Sequence, residues 1–234
     1  MRATPGGARP VAPGANAGVP RPAPFDERSL AAAVRALTRA DGVLAGIVRR
    51  HGPPPLWPRR PGFRTLARMI LEQQVSLDSA LSLFRRLDRT LDGGLNARPL
   101  GALGAARAET TLRGLGVTRQ KARYLAVLAE RVATAPRWLA SLAARRDDEA
   151  AAALTALPGI GPWTAHVYLL FALRRRDVWP SGDLAIHIAL GEALGRRGPL
   201  ARAEADRHAA RWAPHRAAAA RILWHGYLRD RGRS

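Results

Sequence analysis

The sequence predicts an all-α fold of about ten short helices, and three observations support this prediction. Apolar residues recur at steps of three and four, as in Leu77, Leu81, Phe84, Leu87 and Leu91. This spacing places them on one face of an amphipathic helix. No stretch shows the alternating β-branched pattern of a strand. Proline and glycine clusters separate the apolar stripes, so each helix is short and ends at a turn.

The first element in chain order is a tail over residues 1–24. It contains six Pro, four Gly and three Arg but no acidic residue. Such a composition buries too little apolar surface to offset the entropy of ordering, so we predict a disordered basic tail. It is interpreted either as a nonspecific tether to DNA or, preferably, as a solvated extension. From Phe25 the helical pattern begins, which predicts a helical domain over residues 25–234.

The charge of the chain favours a polyanionic partner. Its 234 residues include 38 Lys and Arg against 18 Asp and Glu, which gives a formal net charge of +20 and an isoelectric point of about 11.8. Nucleic acid is the partner that this balance favours, with an anionic membrane surface as the alternative. Every basic residue except Lys121 is arginine, and alanine is abundant, so biased coding contributes part of the basicity.

Several classes of site and location are excluded or disfavoured by composition. The absence of cysteine excludes disulfides, zinc–thiolate sites, thiol nucleophiles and cysteine-ligated iron–sulfur clusters. The six histidines show no metal-ligand spacing, so no metal cofactor is predicted from them. No apolar run suits a membrane span or a signal peptide. We therefore expect a cytoplasmic protein that does not enter a membrane.

The most informative segment is a tight glycine hairpin between two predicted helices. An acid- and alanine-rich helix over residues 147–156 runs into Pro158-Gly159, and a second helix begins near Pro162. Glycines allow close approach of another backbone, and the free amides of the second helix form a phosphate site. Carbonyl groups of the turn are predicted to hold a monovalent cation, Na⁺ or K⁺, through Thr155, Leu157 and Ile160. The alternative is an ordinary αα-hairpin, which is common in helical proteins.

The full string from Leu154 to Ala165, LTALPGIGPWTA, resembles the helix-hairpin-helix of the DNA glycosylase superfamily. That motif is followed by a Gly/Pro-rich loop that ends in a catalytic aspartate. The resemblance covers about residues 60–230 and implies a two-lobed fold with the hairpin at about 147–173 and the loop at about 174–183. An N-terminal β-domain is not expected, because the preceding residues carry no strand pattern.

Asp183 is the residue that the resemblance implies as catalytic. The loop differs from the family pattern, because Pro180 and Gly182 are present in a rearranged order. An ionised carboxylate stabilises the positive charge that develops on deoxyribose when an N-glycosidic bond breaks, and it can deprotonate the attacking water. The alternative role, N-cap of the following helix, is compatible with catalysis.

A lysine two residues after the second hairpin glycine marks superfamily members that also cleave the strand. Here that position is Trp163, and the single lysine, Lys121, lies in another predicted helix. Lyase chemistry through an amine therefore has no evident nucleophile. The resemblance implies a monofunctional enzyme that leaves an abasic site, without an iron–sulfur cluster.

The base pocket is predicted from the branch that resembles 3-methyladenine DNA glycosylase II. A flipped base needs stacking surfaces, and a cationic alkylated base is attracted to an electron-rich ring. The resemblance places Trp163 and Trp224 beside the aspartate. Leu184 and Val167 stand where that branch has aromatic residues, which implies a less stacked pocket. Trp138 and Trp212 are predicted to lie in the core.

The remaining predicted DNA contacts lie around the hairpin. The segment from Leu66 to Ser76 resembles the family's wedge-bearing segment, and Gln74 is the predicted wedge for the gap left by the flipped base. Arg119 and Lys121 are predicted phosphate contacts, with a solvated helix face as the alternative. The hairpin contacts themselves are predicted at Pro158, Gly159, Ile160, Gly161 and Thr164.

Together these features predict a monomeric DNA glycosylase that removes alkylated bases from damaged double-stranded DNA, associated with a bacterial nucleoid. Two alternatives remain open from the sequence. One keeps the fold but takes oxidised, deaminated or mismatched bases. The other is a noncatalytic helix-hairpin-helix protein that only binds DNA, and such a protein has no need of Asp183.

Overall fold

The computed structural model describes residues 23–233, and all secondary structure within this range is helical. The predicted tail over residues 1–24 therefore lies almost entirely outside the described residues. Across the described range there are thirteen α-helices. They are α1 Glu27–Ala40, α2 Gly42–His51, α3 Phe63–Glu72, α4 Leu77–Thr90, α5 Ala97–Ala102, α6 Ala105–Gly114, α7 Arg119–Thr134, α8 Trp138–Ser141, α9 Asp147–Thr155, α10 Pro162–Phe171, α11 Leu184–Ala193, α12 Arg202–Ala210 and α13 Arg216–Asp230.

The predicted all-α class is confirmed, while the expected number of helices was too low. Two of the additional elements are short, since α5 has 6 residues and α8 has 4. Pieces of this length carry too few residues for a helical period to be recognised in the sequence. No helix in the described part of the chain has both the length and the apolar character needed to cross a membrane.

Two hydrophobic clusters form the cores of two lobes. The central lobe is built around a cluster within residues 63–178, from α3 through α10. The terminal lobe joins residues 25–56 to residues 179–223, so both ends of the chain contribute to one core. Phe171 and Trp224 pack against both clusters. These two rings therefore mark the junction between the lobes, which is where the candidate site lies.

Arg221 in α13 connects the separate segments of the terminal lobe. Its side chain is fully buried and donates hydrogen bonds to the carbonyls of Leu56, Leu170 and Ala217. Burial lowers the pKa of its guanidinium group. Because three carbonyl oxygens accept hydrogen bonds from this group, its buried charge is stabilised within the fold.

Asp41 at the start of α2 provides a second connection between the chain ends. One carboxylate oxygen accepts hydrogen bonds from the amides of Val43 and Leu44 at 2.9 and 3.1 Å. The other oxygen accepts one from the indole of Trp212 at 2.8 Å. Asp41 thus caps α2 and holds a tryptophan of the terminal core, where Trp212 is buried as predicted.

Candidate active site

The predicted hairpin forms between α9 and α10, and its bounds agree with the prediction to within two residues. Gly159 has φ +83°, and a Cβ atom at this position would lie 2.2 Å from the ring of Tyr124. This close approach explains why only glycine fits there. A Cβ atom at Gly161 would instead meet open space. The absence of a side chain at Gly161 therefore leaves the outer surface of the turn accessible.

The backbone of the hairpin presents free amides, whereas two of its predicted side chains are buried. The side chains of Ile160 and Thr164 are only 3% and 4% exposed. The Ile160 amide donates within the turn to the Leu157 carbonyl at 3.2 Å. The first amides of α10 have no partner within the helix, so they remain for a phosphate. Pro158 lies in the turn, and the monovalent cation at the turn carbonyls remains a prediction.

The end of α3 is attached to the hairpin through Gln73, which sequence reasoning missed. Its side-chain nitrogen donates to the Gly159 carbonyl at 2.9 Å. Lys121, a predicted DNA contact, serves the same junction, because its ammonium donates to the carbonyls of Leu71 and Gln73 at 2.8 and 2.6 Å. Burial lowers the pKa of this lysine. Lys121 is therefore held at the end of α3. Its contact with a DNA phosphate stays a prediction, as does that of Arg119, which is exposed at the start of α7.

Gln74, the predicted wedge, lies in the turn between α3 and α4. It is exposed and adopts φ +57°, the left-handed region that non-glycine residues rarely occupy. Such backbone strain is concentrated at functional sites. The adjacent hydrogen bonds of Gln73 and Lys121 hold the start of this turn, so the conformation of Gln74 is fixed by its neighbours.

Asp183 is the N-cap of α11 and accepts three hydrogen bonds. Oδ1 accepts from the amide of Ile186 at 2.9 Å and from the indole of Trp224 at 3.1 Å. Oδ2 accepts from the indole of Trp163 at 2.8 Å. The residue is only 6% exposed. A carboxylate has about four acceptor positions, so Oδ2 keeps one for water or for a cationic group.

A cleft of about 670 Å³ opens over this carboxylate at the junction of the lobes. Trp163 is 42% exposed at its wall, and Val167 is buried beneath it. The ring of Trp224 stacks on Phe171 with centroids 5.2 Å apart. The residues that line the cleft are Trp57, Pro58, Arg59, Arg68, Met69, Glu72, Leu77, Trp163, Val167, Phe171, Asp183, Trp224 and Leu228.

Leu184 does not line the cleft, although it was predicted to be part of the base pocket. It is the first residue of α11 and is 63% exposed. The helix turns Ile186 and Leu190 toward the terminal core. Leu184 lies about 200° around the helix from Ile186, so its side chain is directed to solvent.

Several residues of the cleft were missed because they lie in the segment before α3 or within it. Trp57 adopts φ +47° and packs edge-on against Phe171. Glu72 forms ion pairs with Arg59 and Arg68. None of these three charged residues was among the predicted site residues. The four-residue spacing of Arg68 and Glu72 on one helix was the available sequence signal.

Comparison with known proteins identifies the family to which this arrangement belongs. Residues 67–215 match the family model described as HhH-GPD superfamily base excision DNA repair protein. The chain belongs to this superfamily. The match includes the second half of α3, the hairpin and Asp183, which are parts that the sequence resemblance indicated. The predicted superfamily and its helix-hairpin-helix are thereby confirmed.

Individual relatives within the superfamily match over different lengths. The chain is 42% identical over 71 residues to a probable bifunctional transcriptional activator/DNA repair enzyme AlkA of Mycobacterium tuberculosis. That match covers 30% of this chain and 14% of the relative. The chain is 26% identical over 223 residues to DNA-3-methyladenine glycosylase 1 of Schizosaccharomyces pombe, covering 82% of this chain and 88% of the relative.

A solved structure shows the same fold over most of its length. The crystal structure of a DNA-3-methyladenine glycosidase from Bacillus halodurans superposes with a TM-score of 0.71 at 26% identity. The match covers 83% of this chain and 88% of that structure. The two-cluster helical architecture described above is therefore the superfamily fold.

Proposed function

We propose that this protein is a monofunctional DNA glycosylase that hydrolyses the N-glycosidic bond of alkylated purines in double-stranded DNA. The observation that carries the proposal is Asp183, which lies in a cleft with aromatic walls next to α10 of the glycine hairpin. The names of two relatives, a DNA-3-methyladenine glycosylase and a DNA-3-methyladenine glycosidase, support this choice of substrate.

DNA contacts the hairpin first in the proposed mechanism. The amides at the start of α10 donate to a phosphate, and the open surface at Gly161 allows the backbone to approach. The damaged nucleotide is extruded from the duplex into the cleft. Gln74 fills the space that it leaves. These contacts read the DNA backbone and the extruded base rather than the flanking sequence.

Asp183 then acts on the sugar of the extruded nucleotide. Three donors hold its carboxylate in place, so little reorganisation is needed as positive charge develops on the deoxyribose. The free acceptor position on Oδ2 takes a proton from the attacking water. An alkylated purine carries positive charge and leaves easily, and the indoles of Trp163 and Trp224 attract it before the bond breaks.

The proposed absence of strand cleavage follows from the placement of the only lysine. The ammonium of Lys121 is held by two backbone carbonyls at the end of α3. Forming a Schiff base with the sugar requires a free amine, so Lys121 would first have to give up both hydrogen bonds.

The test is base release from duplex DNA methylated to contain 3-methyladenine and 7-methylguanine, with wild type and Asp183→Asn at the same salt concentration. We expect wild type to release free bases, to leave intact abasic strands, and to form no covalent adduct under borohydride reduction. The Asp183→Asn protein should bind the DNA and release little base. Binding without release by wild type would contradict the alkylated-base assignment, and a borohydride-trapped adduct would contradict monofunctional chemistry.

A further inference from the structure

A cluster of three charged side chains lines the same cleft as Asp183 and has no role in the mechanism above. Glu72 accepts a hydrogen bond from the Nε atom of Arg68 at 2.7 Å. Its other carboxylate oxygen accepts one from Arg59 at 3.3 Å. Arg68 and Glu72 lie one turn apart on α3, whereas Arg59 comes from the segment before that helix. One carboxylate thus holds two guanidinium groups at one wall of the cleft.

The two arginines are more exposed at the cleft than the glutamate that holds them. The Glu72 side chain is 13% exposed, whereas those of Arg59 and Arg68 are 33% and 40% exposed. Each oxygen of Glu72 already accepts one hydrogen bond, and its side chain is the least exposed of the three, so a ligand in the cleft reaches the guanidinium groups more readily than the carboxylate. Each guanidinium carries five N–H donors, and Glu72 takes only one donor from each. The cleft therefore presents a row of hydrogen-bond donors.

The position of Arg59 is fixed by its backbone as well as by Glu72. Its amide donates to the carbonyl of Phe171 at 3.1 Å. Phe171 is the ring on which Trp224 stacks, and Trp224 donates to Asp183. The guanidinium groups of Arg59 and Arg68 are thus connected to the carboxylate of Asp183 through Phe171 and Trp224. A base seated against these rings would meet the arginines at its edge.

We propose that Arg59 and Arg68 select the extruded base by donating hydrogen bonds to a ring carbonyl, so that the cleft prefers methylated guanine to methylated adenine. The inference rests on the proposed function and specifies its substrate class. At C6, guanine carries a carbonyl acceptor and adenine carries an amino donor. A guanidinium group can donate a hydrogen bond to the guanine carbonyl. It cannot donate to the adenine amino group, which is itself a donor. Glu72 is the positioning residue that holds both arginines.

The test uses the relative release of two bases from one reaction. Duplex DNA treated with radiolabelled dimethyl sulfate contains 3-methyladenine, 3-methylguanine and 7-methylguanine, which are separated by chromatography after release. The two 3-methylpurines carry the methyl group at the same ring position and differ at C6 and C2. Because a folding defect lowers the release of all bases together, the ratio of 3-methylguanine to 3-methyladenine reports selection alone.

We expect Arg68→Met and Arg59→Met each to lower this ratio by about tenfold, the effect of one lost charge-assisted hydrogen bond. Methionine keeps an apolar stem of similar length, so packing along the wall is retained. Glu72→Gln should lower the ratio by about threefold, because the arginines lose their shared anchor. Arg35→Met, at an exposed position of α1, removes the same charge and should leave the ratio unchanged.

The outcomes separate this inference from the function on which it rests. A ratio unaffected by all three cleft variants, with bases still released, would overturn base selection by the arginines and leave the glycosylase proposal standing. A ratio that rises in the arginine variants would show that the cluster favours adenine instead. No release of any base by wild type would overturn the proposed function and this inference with it.

Discussion

Asp41 and Asp183 make nearly the same hydrogen bonds in two different regions of the molecule. Each is the N-cap of a helix, and each accepts two hydrogen bonds on Oδ1 and one on Oδ2. In both, Oδ2 accepts from a tryptophan indole, which is Trp212 for Asp41 and Trp163 for Asp183. The local chemistry of the two carboxylates is therefore almost identical.

The difference between them lies in what surrounds the free acceptor position. Trp212 is 3% exposed and packs edge-on against Trp179, so the indole partner of Asp41 lies in the terminal core, although Asp41 itself is partly exposed. Trp163 is 42% exposed and forms part of an open cleft. The comparison shows that a capping aspartate with an indole partner is a structural unit of this fold. In the proposed function, Asp183 and not Asp41 is the reactive group, because only Asp183 lies in a cleft that can take a substrate.

The largest expected effect is on the rate of base release, which should depend on Asp183 and not on Asp41. Asp183→Asn removes the negative charge beside the sugar and should lower the single-turnover rate of base release by about a hundredfold or more. Asp41→Asn removes the same charge from an equivalent set of hydrogen bonds and should leave the rate within about twofold of wild type. Rates are compared at saturating protein on methylated duplex DNA, with binding measured separately. Comparable losses in the two variants would show that the cleft does not distinguish them.

The fold was predictable where its determinants are local. Apolar periodicity and turn residues identified helices such as α9 and α10, whose limits agree with the prediction to within two residues. The assembly of the terminal lobe was not predictable, because the contact of Trp212 with Asp41 joins positions 171 residues apart. No local pattern encodes such a pairing, and only tertiary packing establishes it.

The candidate site likewise contains residues that the sequence predicted and residues that it did not. The motif placed Asp183, Trp163 and Trp224 near one another, and the structure brings these three side chains together. Arg59 and Trp57 were missed, because they reach the cleft from a proline-rich segment with no helical pattern. The hydrogen bonds of Lys121 to the carbonyls of Leu71 and Gln73 were not predictable either, since a basic residue near a helix start looks the same in a sequence whether it contacts DNA or a neighbouring carbonyl.

A smaller effect is expected from removing the indole donors. Trp163→Phe retains an aromatic wall but removes the hydrogen bond to Oδ2 of Asp183, so the carboxylate is held less firmly. We expect the rate of base release to fall about tenfold, which corresponds to one charge-assisted hydrogen bond. Trp212→Phe removes the matching donor from Asp41 and should leave the rate unchanged. If Trp163→Phe retained the full rate, orientation by its indole would be unnecessary for the reaction.

The smallest expected effect concerns stability, in which the two aspartates should behave alike. In Asp41→Asn and in Asp183→Asn the amide oxygen still caps the helix, because Asn is as good an N-cap as Asp. The amide nitrogen then faces an indole N–H, so one hydrogen bond is lost and two donors oppose each other. We expect each variant to lower the free energy of unfolding by about 1–2 kcal/mol, measured from urea midpoints at unchanged slope. An Asp183→Asn protein that is more stable than wild type would show that holding the Asp183 carboxylate at the cleft costs folding free energy.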